Sequence, residues 1–171
     1  DKFLDETIKD KKIKILIFQS AKKNIFIAGA DINEIKNLKT NNEAFEKVSQ
    51  GQKIISKIAS LPFPTIAVIN GACMGGGLEL ALACKYRIAV EQPKTQLALP
   101  EVKLGIIPGF GGTQRLPSLV GLQASLDMIL TGKAINARKA LKIGLVDQIA
   151  REEFLIDSLN NIISLITKNP T

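Results

Sequence analysis

The chain falls into short apolar runs separated by polar segments, and the spacing within each run predicts its structure. "IKILIFQS" (13–20) is a continuous β-branched run bounded by lysines and polar residues, the pattern of a buried strand. "FIAGADINEI" (26–35) leaves its strand through Gly29, and Asp31 followed by Glu34 has the capping-box spacing, which predicts a short helix. From 42 to 60, Phe45, Val48, Ile54, Ile55 and Ile58 recur at roughly helical spacing, with Gly51 as a weak point. "LPFP" (61–64) ends that helix, because Pro62 and Pro64 cannot continue it. "TIAVIN" (65–70) reads as a second buried strand and "GACMGGG" (71–77) as the loop after it. "LELALACK" (78–85) reads as a helix apolar on nearly every face, and such a helix belongs in a core.

"YRIAVE" (86–91) is a third strand by the same pattern. The stretch 92–117 reads mostly as loop, punctuated by Pro93, Pro100, Pro108 and several glycines. The segments 122–132, 136–144 and 152–168 carry helical patterning, with Gly132 and Gly144 at C-cap positions and "LVDQIA" (145–150) a short extended piece. Strands alternating with helices predict an α/β domain. No internal repeat, low-complexity tract or linker interrupts the pattern, and 171 residues suit one domain with a sizeable core.

Composition narrows the chemistry. No apolar run approaches the roughly 20 residues of a membrane span, and the polar opening "DKFLDETIKDKK" lacks a leader's apolar core, so export is not expected. Cys73 and Cys84 lie in apolar surroundings outside any CxxC pair and read as buried structural thiols in a reducing compartment. The expected location is the cytoplasm of a bacterium or the mitochondrial matrix. A net charge of +7 fits a phosphate-bearing ligand or nucleic acid equally well. Aromatics at 5%, no Trp, and no basic stretch interleaved with stacking residues argue against nucleic acid. With no His in the chain, catalysis falls to carboxylates, Lys, Tyr86 or backbone groups.

Among the glycine runs, "GFGGTQ" (109–114) fails GxGxxG at Gln114 and no P-loop pattern occurs, so a nucleotide fold is not expected. Gly75, Gly76 and Gly77 directly before an apolar helix admit two readings. They allow a sharp turn with close packing, or they expose bare N–H groups at a helix N-terminus to developing negative charge. Taken alone, the first is simpler. "AGAD" (28–31) is a second loop of small residues after a strand, and two such loops could supply two oxyanion donors. Glu79 inside the apolar helix is costly to ionise and needs a partner or a role. A salt bridge to Lys85 or Arg87 and acid–base catalysis are both open, although neither cation has the favourable i+4 spacing. Glu101, after Pro100, could be a surface residue at a helix start. The two glutamates beside two glycine-bearing loops point to acid–base catalysis on a carbonyl compound.

"FIAGADI", "VINGACMGGGLELALACKYRIA" and "LALPEVKLGIIPGFGGTQRLPSLVG", in this order, resemble the crotonase (enoyl-CoA hydratase/isomerase) family over about Ile13 to Ala150. The finer likeness is to the hydratase domain of the multifunctional fatty-acid oxidation protein's α subunit. The resemblance implies a crotonase-like (ClpP/crotonase) spiral of repeated ββα units. By that comparison the opening strands and closing helices lie outside Asp1–Thr171. It implies enoyl-CoA hydration in fatty-acid β-oxidation, with no metal and no cofactor beyond the CoA of the substrate. It implies Ala30 and Gly76 as backbone oxyanion donors, Glu79 mainly as base and Glu101 mainly as acid. The implied substrate-binding positions are Ala28, Ala30, Asp31, Ile32, Gly76, Pro100 and Gly109. Asn33 stands where many relatives have a Lys near CoA. The implied assembly is a homo-oligomer or a complex with a thiolase subunit. A 3-enoyl-CoA isomerase and an RNA-binding relative are the alternatives.

Overall fold

The computed structural model describes residues 2–29, 37 and 39–168. The predicted helix after Asp31 lies outside them. The first strands are β1 (Leu16–Gln19) and β2 (Asn24–Ile27), preceded by α1 (Lys2–Lys9). Helix α2 (Asn41–Ala59) begins where Thr40 Oγ1 accepts from Glu43 N at 3.2 Å and Glu43 Oε2 accepts from Lys39 N at 2.8 Å. Its buried stripe is narrower than the apolar spacing predicts: Ile55 and Ile58 are buried, whereas Phe45, Val48 and Ile54 are exposed.

Next come β3 (Thr65–Ile69), β4 (Gly71–Met74) and α3 (Gly76–Ala83), then β5 (Tyr86–Val90), β6 (Gln96–Ala98) and a 3₁₀ turn over Pro100–Leu104. Two of these correct the sequence reading. Residues 71–74, expected to be loop, form a strand because β2 and β6 flank them as parallel partners. The segment 92–117 holds β6, the 3₁₀ turn and the start of α4 (Gly112–Thr131), which tolerates Pro117 and breaks at Gly121. The chain closes with β7 (Ile135–Asn136), α5 (Ala137–Lys142), β8 (Gln148–Ala150) and α6 (Leu155–Lys168).

The strands form two four-stranded sheets, β1-β3-β5-β8 and β2-β4-β6-β7. The first sheet is wholly parallel; in the second, only the β6–β7 pair is antiparallel. From β1 to β6 successive strands alternate between the sheets, so each early repeat adds one strand to each sheet and then a helix, the expected ββα spiral, whereas β7 pairs back onto β6 in the second sheet. Strand β3 is buried on both faces, as a strand covered on two sides must be. Ala67 and Ile69 pack into the larger core with Leu78, Leu82 and Leu116, while Ile66 and Val68 meet Ile162 and Ile166 of α6.

Candidate active site

Strands β2, β4 and β6 run parallel side by side, so their carboxyl ends deliver three segments to one edge of the second sheet. Ligands in α/β sheets bind at such ends. After β2 comes Ala28–Gly29, after β4 come Gly75 and the start of α3, and after β6 comes the 3₁₀ turn bearing Glu101. The Gly75 N–H donates to the Ala98 carbonyl at 2.9 Å, tying the second segment to the third. Gly75 has φ 54° and ψ −126°, a conformation open to glycine. A methyl group there would lie 3.0 Å from Glu101 Oε1 and 3.9 Å from the Gly29 Cα, so the three segments abut. Gly76 opens α3, and a first helical residue has no carbonyl one turn back to receive its N–H.

Glu79 lies one turn further along α3, 1% exposed. Its Oε1 accepts from Phe110 N at 2.7 Å and from Gly112 N at 2.8 Å. Burial pushes its carboxyl up, opposed by those two N–H groups and by the Arg115 charge. Among the described residues no ion pair joins it to Lys85 or Arg87, which removes the salt-bridge reading. Arg87 is engaged at the other end of α3, donating to the carbonyls of Ala81, Cys84 and Leu145 and pairing with Asp147.

Glu101 is half-buried in the 3₁₀ turn rather than on an open surface, and burial with the nearby charge of Glu79 pushes its carboxyl up to about 7, against its own backbone N–H. Its Oε2 is buried and accepts no hydrogen bond among the described residues. Two neighbouring carboxyls thus carry different support: Glu79 is held by N–H donors and a cation, Glu101 by neither to the same extent. Burial raises both, so what distinguishes them is hydrogen-bond support, two backbone donors on Glu79 Oε1 and none on Glu101 Oε2 among the described residues.

Of the other positions singled out by sequence, Ala28 directly follows β2, Pro100 opens the 3₁₀ turn, and Gly109 accepts from Gln52 Nε2 at 2.8 Å through its carbonyl. Ala30, Asp31, Ile32 and Asn33 lie outside the described residues. Sequence reasoning missed Phe110 and Gly112 as anchors of Glu79. Their signal was the glycine pair at 111–112, set aside once the nucleotide pattern failed. A separate cleft of about 680 Å³, lined in part by Phe63, Leu82, Lys85 and Leu119, sits at the C-terminal end of α3 and includes neither glutamate. Cys73 and Cys84 are buried free thiols, as expected.

Solved structures resemble the chain closely. An enoyl-CoA hydratase from Bacillus anthracis shares 36% identity at a TM-score of 0.89, covering 98% of this chain and 64% of its own. One from Geobacillus kaustophilus shares 34% at 0.90, covering 96% and 62%. One from Thermoplasma volcanium shares 32% at 0.88, covering 99% and 65%. The chain thus spans just under two thirds of the length of these relatives. A sequence profile described as enoyl-CoA hydratase/isomerase matches residues 2–171. The chain belongs to the enoyl-CoA hydratase/isomerase, or crotonase, family.

Proposed function

We propose that this chain carries the hydratase site of an enzyme that adds water to trans-2-enoyl-CoA, giving a 3-hydroxyacyl-CoA, in fatty-acid β-oxidation. One observation carries the reading: the Glu79 carboxyl is near enough to push up that of Glu101, and Glu101 Oε1 lies beside Gly75, where the glycine-led helix α3 begins. Adding water across a C=C conjugated to a thioester needs an activated water, a proton donor and a sink for enolate charge, away from bulk solvent. Glu79 accepts a proton from the water as its oxygen bonds to C3. Glu101 delivers a proton to C2, and the N–H groups of Gly76 and Ala30 hold the thioester oxygen while it carries the enolate charge. Asp31, Ile32, Pro100 and Gly109 line the acyl-CoA path in the same proposal.

A 3-enoyl-CoA isomerase needs only one carboxylate to move a proton between C2 and C4, so a second, N–H-anchored glutamate at position 79 favours hydration. The likeness to the multifunctional fatty-acid oxidation protein extends the proposal to a homo-oligomer or a complex with a thiolase subunit. The test uses the full-length protein. Glu79→Gln and Glu101→Gln should each lower kcat for crotonyl-CoA hydration by roughly 10²- to 10⁴-fold. Variants that hydrate at the wild-type rate sink the reading. Loss of 3-enoyl-CoA isomerisation alone would replace it with the isomerase. Sedimentation of the same preparation checks the assembly, and a lone monomer removes that part.

A further inference from the structure

The Phe110–Gly112 turn, which anchors Glu79, is itself held from the next helix. Arg115, in the first turn of α4, donates through Nη1 to the Phe110 carbonyl at 2.9 Å. Gly111, at the centre of the turn, has a φ of 100°, and a methyl group on it would overlap the Arg115 guanidinium. The side chain therefore lies directly across the turn. On its far side Arg115 borders the cleft at the C-terminal end of α3. Gln52 of α2 clamps the preceding peptide through the Gly109 carbonyl. The Phe110 ring fills the space beside Gly51 of α2 and Gly76 of α3, so movement of the turn would reach Gly76 as well.

We propose that Arg115 is a positioning residue for Glu79. Through the Phe110 carbonyl it fixes the turn whose two N–H groups orient the Glu79 carboxylate, and it brings a positive charge towards that carboxylate. The inference rests on the hydratase reading, in which Glu79 is the base. Other charges around Glu79 do not replace that of Arg115. Glu101 in the 3₁₀ turn supplies no positive charge, and strands β2 and β4 contribute no charged residue, only the Cys73 thiol, pushed far up by burial. On α2, Glu43, Glu46, Lys47 and Lys53 are exposed, and Lys57 reaches Asp5 at 2.6 Å. Without Arg115 the two N–H groups alone would oppose burial, and the Glu79 carboxyl would rise further. A base must be ionised to act, so the acid limb of the kcat/KM profile should move to higher pH.

The experiment compares Arg115→Met and Arg115→Lys in the full chain, with Glu79→Gln beside them. If Glu79→Gln hydrates crotonyl-CoA normally, the hydratase reading fails and Arg115 is not at issue. If Glu79→Gln is inactive, Arg115→Met should raise the acid limb by roughly one pH unit. It should also lower kcat roughly 10-fold, with KM within about twofold. Arg115→Lys keeps the charge without the planar fork, so kcat should fall while the limb stays in place. A carbon-13 titration of the Glu79 carboxyl in a Glu101→Gln background reads the same shift without catalysis. A Met variant that only melts earlier, with kcat and pH profile intact, overturns the proposal. If the Met variant fails to fold, a Lys variant with wild-type kcat overturns it.

Discussion

At Glu101, burial and the charge of Glu79 act in one direction, and the carboxyl stands at about 7 against an ordinary 4.5. A carboxyl raised on folding favours the folded state while protonated. That contribution is fully present below the ordinary value and is lost as pH rises through the folded one. Glu101→Gln should therefore melt higher than wild type above pH 7, and the difference should vanish near pH 4.5. Parallel melting curves across that range would show that the carboxyl is not raised. If the proposed hydration is the activity, such a gain in stability should accompany its loss, the trade expected where function keeps a destabilising buried group. Glu79 was legible in the sequence because a carboxylate stands out inside an apolar helix. Glu101 was not distinctive alone, and although the glycine pair at 111–112 marked a turn, nothing local tied it to Glu79, which it meets from 31 and 33 residues away.

Elements were legible where one face or the whole segment is apolar. Strands β3 and β5 and helices α3 and α6 follow their patterns closely. Strands β4 and β6 were hidden because they span only four and three residues, too short to show period-2 alternation; β4 also runs into the glycine run. Neighbouring strands, not local propensity, make them strands. Gly51 is explained in the same way: it looked like a flaw in α2, but a methyl group there would overlap the Phe110 ring. Gly77 marks the closest approach of α3 to β2, since a methyl group would overlap the Ile27 carbonyl oxygen. Gly77→Ala should push α3 off β2 and lower stability by about 1–3 kcal/mol, displacing Gly76 and Glu79 with it. Urea unfolding and crotonyl-CoA hydration should fall together, and a variant normal in both would show that the helix can shift freely.

Across the whole molecule, Arg87 joins the C-terminal end of α3 to the segment entering β8. Its guanidinium is buried, and Asp147 Oδ2 accepts from its backbone N at 2.7 Å and from Nη2 at 3.4 Å. The Asp147 N–H returns to the Arg87 carbonyl at 2.9 Å. Asp147→Ala leaves a buried cation underpaired and a backbone N–H unmet, so stability should drop by about 1–3 kcal/mol. Asp147→Asn, which keeps an acceptor, should lose less; equal losses by urea titration would assign the effect to packing.

The sequence by itself determined the α/β class, the buried helix carrying Glu79, and the reliance on carboxylates in a chain without His. These are local facts of periodicity, composition and spacing. Only the tertiary structure decided that Glu79 answers to backbone N–H groups rather than to Arg87, and that Glu101 shares its edge. It also brought Arg115 across the anchoring turn. Each of these depends on which strands lie side by side. Parallel pairing of β2, β4 and β6 is a long-range choice that no single segment encodes, and it alone brings their carboxyl ends together.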